Sequence, residues 1–222
     1  MLPTPKFSNL DFDKVYEPAE DTFLLLDCFE GQIQYLNTQF GPGSTPVITE
    51  IGTGSGVVTT FVCQHVFPYG IVLSTDINPH ACLAFMDTVT ENSIVNPTVD
   101  TLQMSLTSGI RPNAIDVLIF NPPYVPAEEV PQIPESLQDS KWLDLALSGG
   151  EDGMEVTWIL LHQLDHILSK KVGIAYILFC ARNKPEEVAN YMRQQGWIVD
   201  VVIHRKAGWE VLSILRFKRN ES

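Results

Sequence analysis

Short apolar runs alternate with segments of helical period along the chain. Val47-Ile48-Thr49-Glu50-Ile51 reads as a strand, residues 56–67 as a helix, and Ile71-Val-Leu-Ser-Thr75 as a buried strand ending at Asp76. Pro79 sits where a helix takes its first turn, and that helix runs to about Glu91. A weaker strand follows at 98–104 and a strong one from Ile115 to Phe120. Helices over 154–169 and 184–195 then alternate with strands over 173–179, 197–203 and 211–217. Upstream, residues 18–30 follow a proline start, and Leu24, Leu25, Asp27 and Cys28 set out apolar and polar helix faces. Residues 1–17 show no period, and Gly41-Pro42-Gly43-Ser44 is a loop. This alternation predicts an α/β domain with a mainly parallel, seven-stranded sheet and helices on both faces. The last two strands flank Lys206-Ala207-Gly208-Trp209, a link short enough for an antiparallel hairpin, so one reversed strand is expected at the sheet edge. Pro126, Pro131 and Pro134 leave little regular structure across 125–150. So long a loop in a compact domain is a lid or a binding segment.

The chain has 222 residues, 45% hydrophobic and 18% charged. That suits one domain over 1–222, with 1–30 as a closing segment and 125–150 as a substrate-side loop. No apolar run reaches the ~18 residues a membrane span needs, and the opening Met1-Leu2-Pro3-Thr4-Pro5-Lys6 does not read as a signal peptide. Cys28, Cys63, Cys82 and Cys180 are scattered, which offers no zinc-ligand pair and suits a reducing compartment. A cytoplasmic location is expected, with nuclear residence left open. Residues 1–169 hold 4 basic and 22 acidic residues, net −18, against 10 and 5, net +5, in 170–222. So acidic a body argues against unaided binding of duplex nucleic acid.

Three motifs carry candidate chemistry. Glu50-Ile51-Gly52-Thr53-Gly54-Ser55-Gly56 leads from a strand through a glycine turn into a helix, so backbone can approach a ligand and the helix start offers free N–H groups. The spacing is neither that of a phosphate loop nor the G-x-G-x-x-G of dinucleotide folds, and a plain tight turn is the alternative. Asp76 ends the next strand, 20 residues beyond Gly56, where a carboxylate can accept from ribose hydroxyls; capping the helix near Pro79 is its alternative role. Asn121-Pro122-Pro123-Tyr124 directly follows an apolar strand. Its prolines would fix the Asn121 amide and the Pro122 carbonyl as rigid acceptors, with Tyr124 as an aromatic wall.

Together these motifs resemble class I S-adenosylmethionine-dependent methyltransferases of Rossmann-like fold, and Asn-Pro-Pro-Tyr resembles the form found where a planar amide or amino nitrogen is methylated. Tyr16-Glu17-Pro18-Ala19-Glu20-Asp21-Thr22 and Lys206-Ala207-Gly208-Trp209-Glu210 narrow the likeness to the eukaryotic, HemK/PrmC-like glutamine methyltransferases of peptide-chain release factor. The likeness runs from about Val15 to Phe217. It implies N5-methylation of the glutamine in a Gly-Gly-Gln loop, with S-adenosyl-L-methionine as cofactor, S-adenosyl-L-homocysteine as product and no metal in this chain. Tyr16, Pro18 and Thr22 would close over the methionine end, and Glu50, Gly52, Gly54 and Gly56 would line the cofactor. Asp76 and Ile77 would hold the ribose, Ser105 and Leu106 would flank the adenine, and Asn121 would grip the substrate amide with Pro122, Pro123 and Tyr124. Ser105 departs from the family's usual Asp and removes a charge-assisted bond, so weaker cofactor affinity is expected. The family also implies a small zinc-binding activator subunit on the edge strand near 95–106, where Val95, Val99, Leu102 and Met104 would meet it unless they face this chain's own helices.

Rival readings are adenine-N6 methylation of a flipped-out base, lysine methylation, and a module that binds cofactor without turnover. His162 and His166 are spaced as a helical metal pair but lack an adjacent Glu and a third ligand. Glu128 and Glu129 read as a solvated loop, and Gly149-Gly150-Glu151-Asp152-Gly153 as a turn whose acids suit the following helix start.

Overall fold

The computed structural model describes residues 1–41, 43–94 and 98–220. Pro42 of the glycine loop and Val95 of the edge segment lie outside the described residues. In chain order the elements are α1 (Glu20–Phe40), β1 (Val47–Ile51), α2 (Val57–His65), β2 (Ile71–Asp76), α3 (Pro79–Glu91), β3 (Val99–Gln103) and β4 (Val117–Phe120). They continue with α4 (Asp144–Leu147), α5 (Glu155–Ile167), β5 (Ile174–Cys180), α6 (Pro185–Gln194), β6 (Trp197–Ala207) and β7 (Glu210–Arg219). Between β4 and α4 the chain is largely irregular, as its prolines require.

The seven strands form one sheet in the order β3-β2-β1-β4-β5-β7-β6. Pairings from β3 through β5 are parallel. The reversed strand of the terminal hairpin is β7, which pairs antiparallel with β5 on one side and β6 on the other. It therefore lies one position inside the edge, and β6 is the edge strand. The hairpin turns through Gly208 and Trp209, with Gly208 at φ +59°, a hand that tight hairpins need.

The pleat sorts side chains between two cores. Along β5, Ile174, Tyr176, Leu178 and Cys180 pack with Leu25 and Phe29 of α1, Phe61 of α2 and Phe85 of α3. Ala175, Ile177 and Phe179 point the other way, to Leu160 and Leu164 of α5 and Met192 of α6. Both faces being covered explains why β4 and β5 are continuously apolar rather than alternating. Helix α1 extends ten residues beyond the expected end at 30. Its second half buries only Leu36, with Ile33, Tyr35 and Phe40 partly covered, too sparse an apolar stripe to read as helix. It stops at Gly41, whose φ is +79°.

Gly56 is the N-cap of α2, in the left-handed region at φ +76°. A Cβ there would sit 2.8 Å from the Phe85 backbone, so only glycine lets α2 and α3 approach this closely. Gly56→Ala is expected to cost about 2 kcal/mol or more, from backbone strain plus overpacking. A urea titration against wild type checks this, and an unchanged midpoint would contradict it.

Candidate active site

A cleft of about 480 Å³ opens at the carboxyl ends of β1, β2 and β4. Strand order reverses between β1 and β4, and open α/β sheets bind ligands at that point. Most of the expected site residues meet in the cleft. Glu50, Gly52 and Gly54 come from the glycine turn, Asp76 and Ile77 from the end of β2, and Ser105 and Leu106 from beyond β3. Asn121, Pro122, Pro123 and Tyr124 come from the end of β4, with Tyr16 and Thr22 from the N-terminal segment. Two expected residues do not line it. Gly56 is turned to Phe85, and Pro18 is buried just before the start of α1.

Backbone bonds tie the glycine turn to β2. Thr75 O accepts from Gly52 N at 2.8 Å and Thr53 N at 3.2 Å. A Cβ added to Gly52 or Gly54 would meet nothing closer than 3.9 Å, so these two glycines leave the cleft wall open. Glu50 reaches across the turn, and its Oε2 accepts from Thr59 N at 3.1 Å, from the Thr59 hydroxyl, and from Thr53 Oγ1 at 3.4 Å. It thus satisfies a first-turn N–H of α2 that Gly56, having no side chain, cannot. Burial pushes the Glu50 carboxyl up to about 8, against those hydrogen bonds.

Asp76 Oδ2 accepts from Gly54 N at 3.0 Å and its Oδ1 from Asn78 N at 2.8 Å. The helix cap it was weighed against belongs to Asn78, whose side chain accepts from His80 N at 3.0 Å. With the Ile77 N–H as a third backbone donor, the Asp76 carboxylate still keeps acceptor capacity for a hydroxyl. Burial pushes its pKa up to about 6 despite the backbone N–H groups around it.

The Asn121 end of the cleft is built by partners far apart in sequence. Asn121 Nδ2 donates to Asp21 Oδ2 at 2.9 Å, while Asn121 Oδ1 is buried with no partner among the described residues. Tyr16 OH donates to Asp21 Oδ1 at 3.3 Å, and Tyr124 OH to Glu210 Oε2 at 3.1 Å. Burial, then the nearby Asp21 and Glu210 carboxylates, raise both tyrosine hydroxyls well above the ordinary range. Tyr124 is held at its other end too, because Asn183 Nδ2 donates to its carbonyl at 3.1 Å. The 149–153 turn packs under this corner. A Cβ on Gly149 would lie 2.3 Å from Pro123 O, and one on Gly153 would lie 2.0 Å from Tyr124 O.

Asp21, Glu210 and Asn183 were not singled out as site residues in sequence. Asp21 and Glu210 lie inside quoted motifs, a signal that was present; Asn183 had none. The 125–150 loop folds over the cleft, with buried Trp142 in its wall and Leu137 O bonded to His80 Nε2 at 2.8 Å. Of the expected docking residues, Val99 packs on this chain's own core and Met104 lines the cleft. Leu102 stays half-buried on the edge strand β3. His162 stacks on Trp158 beside Tyr191, and Glu128 and Glu129 are exposed.

No protein-family model matches the chain. It is 40% identical to the eRF1 methyltransferase catalytic subunit mtq2 of Schizosaccharomyces pombe, over 99% of this chain and 96% of the relative. It is 34% identical to Methyltransferase HEMK2 of Homo sapiens, over 94% and 92%. Among solved structures, the E. cuniculi Mtq2–Trm112 complex, described as responsible for methylation of the eRF1 translation termination factor, gives a TM-score of 0.65 at 24% identity. That match covers 93% of this chain and 99% of the other. At that identity the likeness bears on the fold.

The raised Glu50 carboxyl makes stability depend on pH. The folded state keeps the proton from 4.5 up to about 8, so the stabilisation is complete below 4.5 and is lost as pH rises through about 8. The loss approaches about 1.4 kcal/mol per pH unit for one proton. Glu50→Gln keeps an acceptor for Thr59 and should flatten this slope. Urea midpoints at pH 5, 6.5 and 8 test it, and parallel curves for the two proteins would overturn the assignment.

Proposed function

The chain belongs to the eRF1 methyltransferase family of Mtq2 and HEMK2, and on that premise we propose that it methylates the N5 nitrogen of a release-factor glutamine, in a Gly-Gly-Gln loop, using S-adenosylmethionine. One observation carries the reading. Asn121, fixed at the end of β4, lines a cleft of about 480 Å³ and holds a buried carbonyl oxygen with no partner among the described residues.

The cofactor fits the residues present. Gly52 and Gly54 leave room against the backbone, and Asp76 retains acceptor capacity for ribose hydroxyls. Ser105 and Leu106 would border the adenine, and Asp21 and Glu210 make the far end acidic, which suits a cation. S-adenosylmethionine supplies an electrophilic methyl group on a positively charged sulfur. Ser105 offers a hydroxyl where the family's usual Asp would offer a charge.

A glutamine nitrogen is a poor nucleophile because its lone pair is delocalised into the carbonyl. Fixed acceptors on both N–H groups raise electron density at nitrogen and set its direction. Asn121 Oδ1 supplies one, and the Pro122 carbonyl is the candidate for the other. Tyr124, pinned at hydroxyl and carbonyl, walls the amide plane. Orienting both reactants in one cleft supplies the proximity term, up to ~7–11 kcal/mol in ideal cases. Adenine and lysine are not favoured as acceptors, since the relatives include a putative protein N5-glutamine methyltransferase of Methanocaldococcus jannaschii.

We further propose a small zinc-binding activator subunit as partner. The E. cuniculi neighbour is a complex with Trm112, and here β3 is an edge strand with half-buried Leu102 and the exposed Leu83 of α3. A release factor is met in the cytoplasm, which is where this chain would work.

The chain, co-produced with its activator, is expected to transfer labelled methyl to release factor. It should not label the same factor with its loop glutamine changed to asparagine, nor DNA. Label on DNA alone would overturn the substrate reading. Asn121→Ala should lower kcat by about a hundredfold or more while cofactor Kd stays near wild type, as for loss of one preorganised hydrogen-bonding group. Produced alone, the chain should associate and lose solubility. Monodisperse light scattering at high concentration would count against the partner.

A further inference from the structure

Which atom Asn121 offers the cleft is decided by its neighbour. A side-chain amide turned over by 180° has nearly the same shape but exchanges an acceptor for a donor. A carboxylate, by contrast, only accepts. Asp21 Oδ1 is taken by Thr22 N at 2.7 Å, with the hydroxyls of Tyr16 at 3.3 Å and Thr22 at 3.4 Å. Its Oδ2 is left for one donor, and Asn121 Nδ2 fills that place at 2.9 Å. Asp21 is buried, at 3% exposure, so water does not compete for these bonds. The Asn121 oxygen is then the atom left without a partner among the described residues.

We propose that Asp21 is a positioning residue that locks the Asn121 amide with its oxygen toward the substrate. An acceptor then always meets the N–H of the reacting amide. This rests on the glutamine-methylating reading above. It assigns Asp21 a role in catalysis through Asn121 and without contact to the reacting atoms.

The lock makes an unusual demand on variants. In Asp21→Asn the new amide oxygen remains pinned by Thr22 N, so its NH2 faces Asn121. Two NH2 groups cannot pair, and Asn121 relieves the conflict by turning over, which presents a donor to a substrate donor. Asp21→Ala leaves Asn121 free to turn either way. A residue needed only for packing would show the opposite order, because Asn is nearly isosteric with Asp and Ala leaves a gap. Exchanging the two residues, Asp21→Asn with Asn121→Asp, rebuilds every bond. Asn at 21 donates to Asp at 121, whose other oxygen still offers an acceptor.

The experiment measures kcat, KM for release factor and cofactor Kd by calorimetry, for the chain in its active complex. Asp21→Asn is expected to lose about a hundredfold in kcat, the scale of one preorganised hydrogen-bonding group, and more than Asp21→Ala. Cofactor Kd should move little. The exchanged double variant should recover at least about tenfold over Asp21→Asn, a non-additivity expected of direct partners. Wild-type kcat in Asp21→Asn, or a loss greatest in Asp21→Ala, would overturn the lock. A double variant no better than the worse single variant, or one that does not fold, would overturn it as well. A wild-type complex that labels no glutamine would instead overturn the reading on which the lock rests.

Discussion

Two crossovers leave the centre of the sheet in opposite directions, and the rest of the molecule depends on that. From β1 the chain passes through α2 and α3 towards β3, whereas β4 lies on the other side of β1 and leads to β5. No connection can bridge the carboxyl ends of β1 and β4, so a cleft remains between them. The glycine turn, Asp76 and the Asn121–Tyr124 corner sit at strand ends facing that gap. Elsewhere the sheet is sealed on both faces by helices, which supplies the rigidity a site needs.

Inside the cleft the two ends are supported by different means. The glycine turn is held from below by backbone bonds to Thr75 and by a buried Glu50 carboxyl that serves helix α2. The Asn121–Tyr124 corner is held by side chains from remote elements: Asp21 of α1, Glu210 of β7 and Asn183 before α6. The glycines at 149 and 153 are needed here for a different reason from those at 52 and 54. The first pair lets protein backbone close against protein backbone, and the second leaves room for something else.

The sequence pattern disclosed the central strands because each is a short run of apolar residues between polar turns, and it disclosed the glycine turn, Asp76 and Asn121-Pro-Pro-Tyr because each stands at a strand's carboxyl end. The second half of α1 was hidden, since Leu36 is its only buried residue. The inward place of β7 was hidden because a hairpin signal does not say which of its strands faces the sheet. Asp21 and Glu210 lie inside motifs visible in the sequence, but their pairings were hidden because the partners lie 100 and 86 positions away, and local periodicity carries no trace of such pairs. Asn183 carried no signal in the sequence, and only the carbonyls of Tyr124, Asp152 and Gly153 that it gathers mark it out.

The terminal hairpin has a consequence for the order of assembly. Strand β6 touches the sheet only through β7, so it cannot be added until β7 has docked on β5. The hairpin turn is local and quick to close, while docking against β5 brings together segments far apart along the chain. Tyr124 gains its Glu210 partner only on that docking. The Tyr124 side of the cleft therefore depends on a residue encoded after β1 through β5 and the glycine turn. The hydroxyl of Tyr124 is thus anchored by the strand that comes last in the chain, not by its own neighbours in sequence.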